Sequence, residues 1–506
     1  MRGIIQRFAF ECDAPGRWFV VKLMIDCETG GVRAMRADEY VRHDAVGIAD
    51  LIREGEVTAS EVLAAARDRM VACKVQNAVV LDLFDRASAQ IAGGLGSGPL
   101  AGVPFMLKDL GQHYAGTVTS SGSRAFADYM ADHDSTLTQR YLAAGLVICG
   151  KTNTPELGLA TTTEPRLHGP TRNPHRPEYS TGGSSGGAGA AVASGIVPVA
   201  HASDGGGSIR IPASCCGLFG LKPTRGRTPL GPDELEGWGG LSTAHVISRS
   251  VRDSALVLDL THGPETGSPY AAPPASRSYQ LEIERPVRKL VIAVSSTSFT
   301  GATVLPEIDT AVQEFADRCR SLGHEVRQSA LKVDSAIHKG AHGVLAISHV
   351  ASTLNRRAAA LGRALREDDV ERVTWQNYQA ARSITGADYA MALHAVQQLG
   401  LTTARFFSDC DLLLTPTMAM LPPPLGAMDM MGLESERYLD ILYRMIAFTA
   451  LFNDTGNPAI SVPVAMSESG LPIGMQFVGP HGSEGLLLQV ARQLEREGVA
   501  QARIAA

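Results

Sequence analysis

An α/β fold is what this chain predicts, on three observations. Short apolar runs alternate with helix-length segments from about residue 44 onward. Hydrophobic residues make up 44% of the chain and aromatics only 6%, so a sizeable core would be packed mainly by aliphatic side chains. Strand-like and helix-like stretches interleave along the whole length, which is the pattern of helices laid on a sheet.

The elements follow in order. Thr58-Ala-Ser-Glu61 is a capping box that opens a helix through about Val71. Ala78–Phe84 reads as a strand, and Val103–Leu107 as another, ending on Lys108. A helix is expected over Ser135–Ala144, then a strand over Leu146–Cys149 that leads to Lys151. The small-residue helix Ala188–Ala193 leads to a strand over Ile196–Ala202. A loop rich in Pro, Ser and Gly follows Pro264, and Lys289–Val294 is the next strand. A helical region runs from about Glu307 to Asp409, broken by a strand near 324–328. Strands at 411–415, 457–464 and 472–478 and a last helix complete the chain.

Residues 1–34 stand apart. Trp18–Ile25 is apolar but short and interrupted by Lys22, which excludes a membrane span or a signal peptide for that run. The expected organisation is an N-terminal extension over 1–34, dispensable for fold and activity, and one domain over 35–506. Net charge is −6, so nucleic acid and anionic membranes are not expected partners. The basic run Asn355–Arg366 is followed at once by acidic Glu367–Glu371 and reads as a solvated face. Eight scattered cysteines with no C-x-x-C imply neither disulfide framework nor zinc site, and point to a reducing, cytoplasmic setting. His338 and His342 are four residues apart with no H-E-x-x-H, so a helix surface explains the spacing and no metal is expected.

Chemistry concentrates between Ser180 and Thr228. Two glycine clusters there each carry a serine, Ser184 and Ser208. Glycines let backbone N–H groups approach a reacting atom, and a serine among them is a candidate nucleophile. No lysine follows either cluster in the phosphate-loop register, and no apolar strand precedes Gly182, which removes a dinucleotide fingerprint. Gly182-Gly-Ser-Ser-Gly186 matches G-x-S-x-G, but the polar segment 176–181 is not the buried strand a nucleophile elbow requires. A serine needs a base, and a lysine is one only when burial keeps it neutral. Lys108 and Lys151 both follow apolar runs, so burial alone does not choose between them.

The motifs G-G-S-S-G-G, D-x-G-G-S-I-R-I-P-A and C-G-L-x-G-L-K-P-T resemble those of the amidase signature family. So do Ala101–Asp109, Cys149–Glu156, Asp411–Thr417, Phe452–Pro463 and Leu471–Phe477, and the resemblance spans about residues 44 to 495. It implies one large mixed β-sheet covered by helices, and hydrolysis of carboxylic amides through an acyl-enzyme. By the same resemblance Ser208 is the nucleophile, Ser184 the bridging serine after a cis peptide, and Lys108 the base. Gly205, Gly206 and Gly207 could converge their N–H groups on the oxyanion. No cofactor is implied. A small-molecule amide is the expected partner, and a homodimer stays open.

Thr162–Pro165, Arg172–Pro174 and Ser214–Leu218, with Lys108-Asp-Leu, look most like family members that open 6-aminohexanoate cyclic dimer, a cyclic diamide. Leu159, Ala160 and Thr161 are the expected pocket walls, and the middle region should supply further ones. The A subunit of glutamyl-tRNA amidotransferase, a urethane- or ester-cleaving member, and a non-catalytic binding scaffold are the alternatives. One departure stands out. Family members commonly read Asp-Thr-Gly-Gly-Ser, whereas this chain has Asp204-Gly-Gly-Gly-Ser208. The missing side chain at Gly205 is expected to loosen the loop or enlarge the pocket.

Overall fold

The computed structural model describes residues 35–432 and 435–505. The expectations for residues 1–34 lie outside these. Eleven strands form one mixed sheet among the described residues. They are β1 (Val79–Asp82), β2 (Pro104–Lys108), β3 (Val147–Thr152), β4 (Val199–Asp204), β5 (Phe219–Lys222), β6 (Thr243–Ser248), β7 (Val291–Val294), β8 (Glu325–Gln328), β9 (Leu412–Pro416), β10 (Ala459–Met466) and β11 (Pro472–Val478). Their spatial order is β1-β3-β2-β4-β6-β5-β10-β11-β9-β7-β8. Strands β2, β3 and β4 run parallel, as do β7, β8 and β9, while β6, β5, β10 and β11 form an antiparallel middle.

The strands near the centre are buried on both faces, which is why they read as continuous apolar runs rather than alternating ones. In β7 and β9, Ile292, Val294, Leu412 and Leu414 pack into one apolar cluster, while Ala293 and Leu413 belong to another. The two-residue period of a strand sends alternate side chains to opposite faces, and helices cover both.

Most expected elements are present with shifted ends. Thr58 caps the helix Ala59–Ala72 through a full capping box with Glu61. Ser135 precedes the helix Thr136–Ala143, and the small-residue helix spans Gly186–Ala193. The strand expected over Ala78–Phe84 stops at Asp82, because the Asp82 carboxylate accepts the Phe84 N–H at 2.9 Å and a helix starts at Phe84. The Leu146–Cys149 strand extends to Thr152 and contains Lys151.

The basic run is less solvated than expected. Arg357 is buried, donates to the Ala125 carbonyl at 2.6 Å and pairs with Asp128. Arg363 pairs with Asp369 in the acidic segment. The described cysteines, adjacent Cys215 and Cys216 included, are free thiols. No described helix is long and apolar enough to cross a membrane.

Candidate active site

Neighbouring parallel strands deliver their C-terminal ends to one edge of the sheet. Strand β2 ends on Lys108 and β4 on Asp204, with Met106 opposite Ala200 in the shared register. Loops at such ends are where α/β sheets place ligand sites. The loop Gly205–Ile209 follows β4 directly and runs into the helix Arg210–Cys215.

Lys108 is completely buried. Its Nζ donates to Ser184 Oγ at 2.7 Å and to Ser203 Oγ at 3.1 Å. Among the described residues it has no carboxylate within 4.0 Å, so nothing close offsets the cost of burying its charge. Burial therefore lowers its pKa to about 7, against a weaker pull upward from Asp204. Lys151 is buried too, but its surroundings differ. It donates to the Val118 carbonyl at 2.7 Å and to Thr119 Oγ1 at 2.6 Å, and Asp109 lies 4.0 Å away. Burial lowers it to about 8, opposed by Asp109. Lys151 ties the loop after β2 to β3 and touches neither serine cluster.

Ser184 follows a cis Gly183–Ser184 peptide. Glycine is required at 183 because a β-carbon there would stand 2.6 Å from the Thr162 carbonyl oxygen and 2.9 Å from that of Ala160. The segment 160–163 thus packs directly on the serine loop, and Thr163 Oγ1 donates to the Gly182 carbonyl at 2.9 Å. Ser185 points elsewhere: its Oγ donates to the Ser203 carbonyl at 3.2 Å and holds the end of β4. Ser203, the second acceptor on Lys108, was not marked by any sequence motif.

The Asp204 carboxylate organises the glycine loop. It accepts the N–H of Gly207 at 2.7 Å and of Ile209 at 3.1 Å, and pairs with Arg210 at 2.8 Å. Burial works to raise its pKa, but the Arg210 guanidinium outweighs that and holds the carboxyl well below the usual range. Arg210 is itself fully buried and reaches Gln476 Oε1 at 2.7 Å and Asn453 Oδ1 at 2.6 Å. This arrangement corrects one expectation. The Gly207 N–H is committed to Asp204 and is not available to an oxyanion. The N–H groups of Gly205 and Gly206 have no acceptor among the described residues.

The expected consequence of Gly205 is also corrected. A β-carbon at 205 would lie 3.0 Å from Trp238 Cε3, so the indole already fills the space a threonine would take. The loop is not loose either, since Asp204 pins it at three backbone and side-chain points.

Two cavities meet at Ser208, and Trp238 lines both. The first, about 330 Å³, is walled by Leu159, Ala160, Thr161, His342 and Ile446. All three expected wall residues are therefore present in it. The second, about 500 Å³, is lined by Ser184, Ser203, Gly205, Glu234 and Arg356 among others. Ser208 Oγ has no hydrogen-bond partner among the described residues, and it shares the second cavity with Ser184. The helix Ser335–Leu361 turns His338 and His342 inward, so the expectation of a helix surface does not hold. What draws them in is the buried Asp454 carboxylate, on a distant part of the chain.

The amidase family model matches residues 61–488. The chain is 40% identical over 467 residues to the 6-aminohexanoate-cyclic-dimer hydrolase of Paenarthrobacter ureafaciens, covering 89% of this chain and 94% of that protein. A solved structure of 6-aminohexanoate cyclic dimer hydrolase matches with a TM-score of 0.86 and 38% identity, over 90% of this chain and 97% of that one. A bacterial aryl acylamidase of the amidase signature enzymes matches with a TM-score of 0.82 and 27% identity, over 90% and 96%.

Proposed function

The chain belongs to the amidase family and hydrolyses carbon–nitrogen amide bonds other than peptide bonds, and from that premise we propose that it does so through Ser208, Ser184 and Lys108 with an ester intermediate. The observation that carries this is a buried Lys108 whose Nζ lies 2.7 Å from Ser184 Oγ, with no carboxylate within 4.0 Å among the described residues.

With Lys108 neutral, the Ser184 hydroxyl donates to its lone pair and can accept the proton of Ser208. Ser208 Oγ then attacks the amide carbonyl carbon, and its proton passes through Ser184 to Lys108. The N–H groups of Gly205 and Gly206 hold the developing oxyanion. Collapse breaks the C–N bond as the proton returns through Ser184 to the leaving nitrogen, and the amine departs. Water then attacks the Ser208 ester and gives a proton to the same relay; the C–O bond to Ser208 breaks as that proton returns through Ser184 to Ser208 Oγ, and the carboxylic acid is released. The 6-aminohexanoate-cyclic-dimer hydrolases among its relatives make cyclic and linear aliphatic amides the first substrates to assay. The free thiols fit a reducing compartment such as the cytoplasm.

A relay acts as a unit, so its parts do not add. Lys108→Ala and Ser184→Ala should each lower kcat on an amide substrate by orders of magnitude, and the double variant should cost little more than either. Full additivity would contradict a shared proton path, and a loss as large in Lys151→Ala would contradict the choice of lysine.

A further inference from the structure

The two cavities are not equivalent, and the difference assigns the two halves of the substrate, given the relay proposed above. Ser208 opens onto both, but Ser184 lines only the second. The leaving nitrogen must take its proton from Ser184, so the amine half lies in the second cavity. The acyl half is left to the first cavity, whose walls are mostly apolar.

Lys339, Gln376, Asn377 and Asp429 also line that cavity, and its polar lining includes a histidine placed against the glycine loop, His342. His338 Nδ1 lies 2.6 Å from Asp454 Oδ2, and His342 Nδ1 lies 2.7 Å from Asp454 Oδ1. Asp454 is fully buried. A carboxylate can only accept, so each Nδ1 carries the hydrogen. In the neutral ring Nε2 is then a bare acceptor, fixed in direction by the bond on its far side. For His342 that atom has no partner among the described residues and lies 3.4 Å from where a β-carbon on Gly206 would stand. Gly206 is one of the two loop glycines whose N–H has no acceptor among the described residues.

We propose that His342 is a specificity-determining residue: its Nε2, oriented by Asp454, accepts a hydrogen bond from an N–H carried on the acyl chain of the substrate. The site therefore selects amides whose acyl half bears an amino or amido group over plain acyl amides. A polar acceptor in an apolar cavity discriminates strongly, because an analogue without the donor leaves it unpaired.

The test is a series of 4-nitroanilides of N-acetyl-ω-amino acids, from glycine to 6-aminohexanoic acid, each paired with its N-methyl analogue, which has no donor. Release of 4-nitroaniline gives kcat/KM for each. The wild-type protein should favour the N–H member about tenfold to a hundredfold at one or more chain lengths. His342→Asn keeps a donor for Asp454 but withdraws the acceptor from the cavity, and it should bring that ratio close to one, chiefly through KM. His342→Leu is the second variant, and thermal melts of both establish folding. A wild-type ratio near one at every length overturns the proposal, as does a ratio that neither variant changes. Release of no aniline from any member would overturn the relay reading together with this one, whereas hydrolysis without discrimination overturns this one alone.

Discussion

Replacing Lys108 by methionine should abolish activity and yet stabilise the protein at neutral pH. In an unfolded chain a lysine takes its proton near 10.5, but in this site near 7. Above 10.5 both states are neutral and the shift costs nothing. As the pH falls from 10.5 to 7 only the unfolded chain gains the proton, so the folded state loses ground, and below about 7 the loss is complete. At about 1.4 kcal/mol for each pH unit, the cost at pH 7 is roughly 4 kcal/mol. Against this stand the two hydrogen bonds to Ser184 and Ser203, worth about 1 kcal/mol each. Methionine fills a similar volume, so Lys108→Met should gain about 2 kcal/mol at pH 7. By pH 9.5 the cost of burial falls to about 1 kcal/mol, less than the hydrogen bonds contribute, and the advantage should vanish or reverse. Urea unfolding of both proteins from pH 6 to 9.5 reads this directly. In parallel, wild-type kcat/KM should rise with pH through an apparent pKa near 7. A variant destabilised equally at pH 7 and 9.5 would show that Lys108 is not held neutral by burial, and the argument for it as the base would fall.

Two further predictions concern the glycine loop. Asp204→Asn leaves Arg210 buried without its partner and should cost about 3–5 kcal/mol, with kcat falling as the loop loses its anchor. Because Asp204 is held well below its ordinary 3.8, its contribution is present at all pH above that value and lost only in strong acid. The deficit should therefore match at pH 5 and pH 9 in urea unfolding, and one that shrinks at pH 5 would argue against a charged pair. Gly205→Thr forces its side chain against Trp238, 3.0 Å from the new β-carbon, and should cost about 1–3 kcal/mol. The same change made in Trp238→Ala should cost much less, and equal costs in the two backgrounds would place the strain elsewhere.

The candidate site was legible where chemistry is local in sequence. Ser184, Ser208 and the glycines around them sit in short motifs, and Lys108 ends an apolar run that is indeed a buried strand. Burial could not separate Lys108 from Lys151, because both are buried. Their partners separate them, and those partners come from other strands and loops. The same limit hid the histidine pair. A spacing of four residues places His338 and His342 on one helix face, but whether that face is wet depends on Asp454, more than a hundred residues away. Strands β5 and β6 were not foreseen: Thr243–Ser248 is buried at every position, so it shows none of the alternation that marks a half-exposed strand. Trp238 could not be linked to Gly205 for a related reason. It has φ of +54° beside Gly239 and Gly240, and only the folded loop brings its ring to the space the glycine leaves.

If Ser208 carries the acyl group, it is the serine a covalent probe will find. A fluorophosphonate reacts with an activated serine and stays attached, and peptide mass spectrometry locates it. A single modified peptide is expected, with the adduct on Ser208, formed far more slowly in Lys108→Ala. An adduct on Ser184 or Ser185 would contradict it.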